Sequence, residues 1–202
     1  MILRIVRGNV PPGGVAQLAE GFVTRYLPVA RATPGLVRFH VAVRPVADTH
    51  ALAVVTFWTS VDAALAAYGG DLDTARTLDG LSEHAVLTEV SYFEVDESQL
   101  RRSTADAAIL RITLGRIAQG VDVAIQQELR ARLPELDEVM TEAYVGRRIV
   151  GTDVEVAFIS AWEHAPSDRS LDEPLWPDIA ARYDTLLVET YLTILSGASA
   201  ED

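Results

Sequence analysis

The feature that most constrains this chain is that its pattern runs through twice. The tetrapeptide ILRI at 2–5 returns unchanged at 109–112, an offset of 107. Leu27-Pro28 returns as Leu133-Pro134 at an offset of 106, Trp58 as Trp162 at 104, and VLTE at 86–89 as LLVE at 186–189, at 100. The landmarks keep their order while the offset only shrinks, as expected of a second copy that has lost loop residues. An internal period limits the fold before any local propensity does, because each copy must be one supersecondary unit.

Each copy reads the same way. MILRIVR at 1–7 is a β-type run ahead of the turn signal NVPPGG. Val15, Leu18, Ala19, Phe22 and Tyr26 then recur with helical period, and Pro28 is expected to end that helix. TPG at 33–35 turns the chain into LVRFHVAV, and 51–59 gives a third strand. Ser60 is placed to cap VDAALAAY, Gly69-Gly70 stops that helix, and 86–95 is the fourth strand. The order is βαββαβ, with antiparallel pairing and the helices on one face. The second copy gives strand 109–115, helix 121–133, strands 143–150 and 154–162, helix 175–184 and strand 186–195. There SDRSLDEPLWP replaces the clean start of the second helix, which should therefore be short or displaced.

The domains expected are thus 1–95 and 109–195, joined by a polar linker at 96–108. Alternation along the strands leaves neither sheet face clean enough for water, so each open face needs a cover. The expected fold class is α+β: two tandem ferredoxin-like βαββαβ units forming an α/β barrel with antiparallel sheets. Arg4 and Glu89 recur as Arg111 and Glu189, and each couple is expected to pair across the first and fourth strands.

Composition removes several functions. Cysteine is absent, which excludes disulfides, thiol nucleophiles and thiolate metal sites and fits a reducing, cytoplasmic setting. MILRIVRG is too short and too interrupted by arginine for a signal peptide, and the apolar runs are of strand length, well short of a bilayer. The net charge is −12, with most of the acidic excess after residue 109, so nucleic acid and anionic membrane are poor partners. His50, His84 and His164 stand apart without ligand-type spacing, so no metal is expected. GNVPPGG lacks the spacing of a phosphate loop, and there is no Gly-x-Ser-x-Gly elbow.

The stretch 33–68 resembles the antibiotic biosynthesis monooxygenase family and its dimeric α/β-barrel relatives. The resemblance lies in a Pro-Gly turn, a strand, a loop, a strand ending in Trp-x-Ser, and an Ala-Leu helix closing on an aromatic residue. Trp58, Ser60, Ala64-Leu65 and Tyr68 occupy those places. The likeness extends over 1–95 and more weakly over 109–195. It implies either a cofactor-free monooxygenase, in which an aromatic substrate is deprotonated to a carbanion that reduces O₂ directly, or a member without that activity. A haem-degrading role would need a histidine in the second helix, and none lies between 58 and 80.

Four residues are candidates for the site. His40 on the second strand suits proton abstraction at neutral pH, or is a hydrogen-bonded strand histidine. Trp58 suits stacking on an aromatic substrate, or fills core space. Tyr68 could donate to an oxyanion or complete the helix packing. Arg76 could clamp an anion or sit solvated at the surface. The expected pocket lies between sheet and helices of the first copy, with Trp58 and Tyr68 on its wall and His40 reaching in. Two functions follow. One is a cofactor-independent monooxygenase on an aromatic or quinone-type molecule. The other is a non-enzymatic barrel that binds a small ligand or serves assembly, self-association included.

Overall fold

The computed structural model describes residues 1–76, 84–95, 107–133, 140–165, 170 and 172–198. The first half of the chain runs β1 (Ile2–Val10), α1 (Val15–Gly21), a π-helical turn (Phe22–Tyr26), α2 (Leu27–Ala32), β2 (Leu36–Val46), β3 (Thr49–Trp58), α3 (Val61–Ala67) and β4 (Val86–Val95). The second runs β5 (Ile109–Ala118), α4 (Asp122–Arg132), β6 (Met140–Val150), β7 (Asp153–Trp162), α5 (Pro177–Ala180) and β8 (Thr185–Ala198). The βαββαβ order stands twice and the described strand pairings are antiparallel, so the fold is α+β and ferredoxin-like in each half. Helix α5 has four residues, short as its disrupted sequence implied. The linker expected at 96–108 lies outside the described residues as far as 106.

The chain forms two compact units, one of Met1–Tyr92 with Tyr191–Asp202 and one of Phe93–Thr190. In the first unit β3 lies between β1 and β2, with Ile5 opposite Val55 and Val41 opposite Val54. Beside β1 runs β4, whose Thr88 Oγ1 donates to the Arg7 carbonyl at 3.4 Å. On the other side β2 pairs with the end of β8, from Val43 opposite Leu192 to Arg38 opposite Ala198. A bare edge would leave a row of backbone donors and acceptors unpaired, and the returning strand covers it. In the second unit β7 lies between β5 and β6, and Glu94 and Val95 at the end of β4 pair with Arg147 and Gly146 of β6.

The two halves agree in detail as well as in order. Ile2 and Leu36 flank Trp58 in the first sheet, and Ile109 and Met140 flank Trp162 in the second. A bulge follows Leu36 before Arg38, and another follows Met140 before Glu142. Each tryptophan donates its indole N–H to the hydroxyl two residues back on its own strand: Trp58 to Thr56 and Trp162 to Ser160, both at 2.9 Å. A fully buried indole needs such a partner, and period-2 geometry puts residue i−2 on the same face.

In the first unit the helices pack Leu18, Phe22 and Tyr26 onto Val6, Val10, Val41, Val43, Leu52 and Val54 of the sheet. Tyr26 sits edge-on to both Phe22 (5.1 Å) and Phe39 (5.5 Å). Contrary to expectation, Pro28 does not end this helix, which continues to Ala32. In a regular α-helix the proline ring would strike the Thr24 carbonyl. The π turn avoids this by lengthening one loop of the ladder, with Leu27 N–H donating to the Phe22 carbonyl. The second unit packs Ile125 and Leu129 of α4 with Val145, Val154, Val156 and Phe158. Among the described residues no helix is long and apolar enough to cross a membrane.

The Pro-Gly turn before β2 requires its glycine. Gly35 has φ +75°, and a Cβ there would lie 2.5 Å from the Ala63 Cβ and 2.9 Å from the Thr59 hydroxyl. Gly35→Ala should therefore cost roughly 2–4 kcal/mol from backbone strain and overpacking together, read as a shift in urea midpoint at constant m.

Candidate functional site

The first unit gathers three of the four expected site residues around a fourth group, Arg4. Arg4 is fully buried although it stands on a strand. Its Nε donates to the Tyr92 hydroxyl at 2.8 Å, Nη1 to the Arg76 carbonyl at 3.0 Å and Nη2 to the Thr74 carbonyl at 3.1 Å. Its guanidinium lies flat against Tyr68, 3.9 Å from the ring centroid. Tyr68 meets Trp58 edge-on at 5.6 Å. Arg76 reaches the same ring at 5.9 Å and donates from Nη2 to the Asp71 carbonyl at 3.2 Å. Tyr92 donates in turn to the Leu72 carbonyl.

This cluster binds the chain after α3 to the sheet and leaves the sheet–helix space occupied by protein side chains. Burial raises the Tyr68 hydroxyl against the opposing pull of Arg4, and burial likewise raises Tyr92. Both phenols therefore stay protonated at neutral pH and act as hydrogen-bonding groups rather than bases.

His40 is on the other face of the sheet, contrary to the expected pocket. Residues 39, 41 and 43 of β2 pack towards the helices, so period 2 turns His40 away from them. It is fully buried and meets the Phe57 ring edge-on at 6.3 Å, whereas Trp58, one residue on from Phe57, faces Tyr68. The structure thus brings Trp58, Tyr68 and Arg76 together and separates His40 from them.

The Arg4–Glu89 couple is also corrected. Arg4 is bonded by Tyr92, while Glu89 pairs with Arg7 at 3.6 Å. Residues 4 and 7, like 89 and 92, are three apart along a strand, which puts them on opposite faces.

In the second unit the equivalent of Arg4 is Arg111, which stands opposite Ser160 as Arg4 stands opposite Thr56. It too is buried, and it too donates to a carbonyl of the segment after the third strand, Nη2 to Glu173 at 2.7 Å. Burial lowers it to about 10, with the Asp172 charge opposing the shift.

Here the guanidinium borders a cavity. Its wall includes Thr113, Leu129, Phe158, Trp176 and Tyr183, and its volume is about 30 Å³. That exceeds the ~10–15 Å³ one water needs. Phe158 and Trp176 meet edge-on at 5.7 Å. The Thr113 hydroxyl is buried without a hydrogen-bond partner. Burial raises the Tyr183 phenol, so it is neutral.

Two devices hold the wall in place. The Tyr183 ring occupies the position a side chain on Gly115 would take, since a Cβ there would lie 2.2 Å from its Cδ1. On the surface, Arg132 of α4 binds Asp178 of α5 and Glu128, and Glu128 binds Arg182. Gly115→Ala should expel the Tyr183 ring and cost roughly 1–3 kcal/mol. A fall in urea midpoint together with altered tyrosine absorbance would report it.

Sequence reasoning missed Arg111, Thr113, Trp176 and Tyr183 as a group. The ILRI repeat carried a signal for Arg111, since an arginine in the middle of a strand came back in both copies. Trp176 and Tyr183 lie in or just beyond the rebuilt stretch, where no repeat could locate them. Among the described residues no group of three or more histidines and carboxylates is placed to hold a metal ion.

An antiparallel βαββαβ sheet with a buried arginine on its first strand and an indole closing its third, present twice, defines a ferredoxin-like α+β fold. Residues 1–71 match the family model for antibiotic biosynthesis monooxygenase. Solved structures agree over nearly the whole length. A “putative monooxygenase” from Fusobacterium nucleatum subsp. nucleatum aligns with a TM-score of 0.68 at 10% identity, covering 98% of this chain and 94% of its own. Another of the same description from Lactobacillus acidophilus gives 0.64 at 9%, covering 98% and 96%. An anthrone oxidase-like protein gives 0.57 at 14%, covering 99% and 94%. At such identities the likeness concerns the fold. No curated protein matches the chain.

Proposed function

We propose that this protein is a cofactor-independent monooxygenase acting on an aromatic or quinone-type small molecule held in the cavity of the second unit. The observation that carries the reading is the meeting, on a monooxygenase-type fold, of an aromatic wall with a buried cation: Phe158, Trp176 and Tyr183 around Arg111. An apolar space with a few converging polar groups is the usual form of a small-molecule site. In the reaction a substrate methylene or hydroquinone carbon, adjacent to an oxygen that carries the anion, gives electrons to O₂. One oxygen atom becomes a new carbonyl on that carbon and the other leaves as water. No further reductant is consumed. Arg111 lies where charge on the substrate oxygen would be stabilised, and water exclusion by the aromatic wall strengthens that interaction.

Trp58, Tyr68 and Arg76 have a different part in this reading. They close the first unit around Arg4. The experiment is oxygen uptake by purified, metal-free protein with anthrone-type and hydroquinone substrates, with product oxygen traced from ¹⁸O₂. Incorporation of label supports the reading. No turnover across the panel, with ligand binding retained, would leave the non-enzymatic ligand-binding alternative.

A further inference from the structure

The segment that follows the third strand is fastened differently in the two units. In the first it is stitched to the sheet through its own backbone: Arg4 binds the Thr74 and Arg76 carbonyls, and Tyr92 donates to that of Leu72. In the second, the ties described for its backbone lie at the two ends. Arg111 binds the Glu173 carbonyl at 2.7 Å, and the Asp184 N–H donates to the Arg116 carbonyl at 2.9 Å. Between these ends the backbone hydrogen bonds described for 174–183 stay within the segment, from Ala180 to Trp176 through to Tyr183 to Ala180. Pro174 and Pro177 fix φ near its start, so the piece keeps its shape.

Side chains hold this piece down on two faces. Inward, Trp176 and Ile179 are buried in the core of the unit, with Trp176 edge-on to Phe158. Outward, Asp178 accepts from both Nη atoms of Arg132, and Arg182 donates to Glu128. Both of these joins to α4 are ionic and lie at the surface. The same piece forms one side of the cavity, through Pro174, Leu175, Trp176, Ile179, Ala180 and Tyr183. The opposite side includes residues of β5 and β7, which the ladder holds in place. At about 30 Å³ the cavity has room for water-sized occupants but not for an aromatic ring. A ring therefore enters only if a wall moves, and 174–183 is the wall whose described backbone is tied at its ends alone.

We propose that 174–183 is a flap over the second-unit cavity, hinged at Glu173 and Asp184, latched to α4 by Asp178–Arg132 and Arg182–Glu128, and lifted to admit a ligand. The proposal deepens the reading of this cavity as a small-molecule site and rests on it. An ionic latch on the water side suits such a part, because exposed pairs hold weakly and their charges stay solvated when they separate. The apolar underside returns the flap to the core. The Arg132 hydrogen bond holds the Asp178 carboxyl below its usual range, so the latch is charged at neutral pH.

The test is hydrogen exchange of the whole protein, resolved by peptide, on wild type and on Asp178→Asn/Arg182→Gln. That variant removes the latch from the flap and leaves the Arg132–Glu128 pair on α4 intact. Exchange across 174–183 should become roughly 3- to 10-fold faster, the effect of two exposed ion pairs on a local opening, while β5 and β7 keep their protection. In wild type, raising salt from about 0.05 M to about 1 M should produce the same local acceleration, and in the variant it should not. Acrylamide quenching gives a second measure. Trp58 and Trp162 are fully buried, so added quenching in the variant should come from Trp176 and vanish when Trp176→Phe is introduced as well. If the variant did not fold, the salt series on wild type would carry the test. Unchanged exchange at 174–183, or acceleration shared equally by β5 and β7, overturns the flap. Oxygen uptake has no part in these measurements. A flap that opens in a protein without turnover sinks the oxygenase reading alone, and turnover without local opening sinks the flap alone.

Discussion

Replacing Arg4 by leucine should lower the stability of the protein by about 3–5 kcal/mol, a large share of what a domain of this size holds. The leucine fills part of the volume but donates nothing. It leaves the Thr74 and Arg76 carbonyls and the Tyr92 hydroxyl without their present donor, and these partly buried groups together cost roughly 2–4 kcal/mol, least at the exposed Thr74. Loss of the guanidinium from the face of Tyr68 adds on the order of 1 kcal/mol. Against this stands the relief of not burying a charge, which keeps the sum below the simple total. Glu89→Ala is the control: that carboxylate's side chain is 53% exposed and 3.6 Å from Arg7, so its removal should cost no more than about 1 kcal/mol. Urea denaturation of the two variants measures the contrast. If Glu89→Ala proved as costly as Arg4→Leu, the assignment of Arg4 to the backbone of 74–76 would be wrong.

The sequence is legible where the same physical demand was written twice. ILRI, the two tryptophans and the VLTE and LLVE segments located six of the eight strands, because a strand core must alternate and a buried indole must find a hydroxyl two residues away. Pro28 was misread because the rule for proline concerns a regular ladder, and a π turn changes the ladder without a local signature. Charge pairing was misread for a different reason. Arg4 and Glu89 are opposite in sign and recur together, yet backbone carbonyls and a tyrosine satisfy the arginine, and carbonyls carry no mark in the sequence. His40 shows the same limit. Its residue type suits a base, but its strand position turns it to the face opposite Trp58. The cavity itself was out of reach, since Trp176 and Tyr183 are brought to Arg111 by a segment that has no counterpart in the first copy.

Arg111→Leu should reduce kcat/KM for oxygen uptake by roughly 100- to 1,000-fold, the range seen when one preorganised charge partner of a developing oxyanion is removed. The guanidinium is buried, lowered to about 10 by that burial, and still protonated at neutral pH, so in the proposed reaction it would meet the substrate oxygen as a full charge. An oxygen that becomes anionic as the carbanion forms gains most from such a partner, and the loss should fall on kcat rather than on KM alone. Arg111→Lys should recover only part of the rate, because a point charge on a flexible stem does not reproduce the planar fork bonded to the Glu173 carbonyl. His40→Asn should change the rate by no more than about twofold, a mere fraction of RT in barrier height, because the imidazole is turned away from the helix side of its sheet. The comparison is made on variants whose urea midpoints match the wild type. A His40→Asn loss as large as that of Arg111→Leu would move the reaction away from the second-unit cavity and to the face of β2 on which His40 lies.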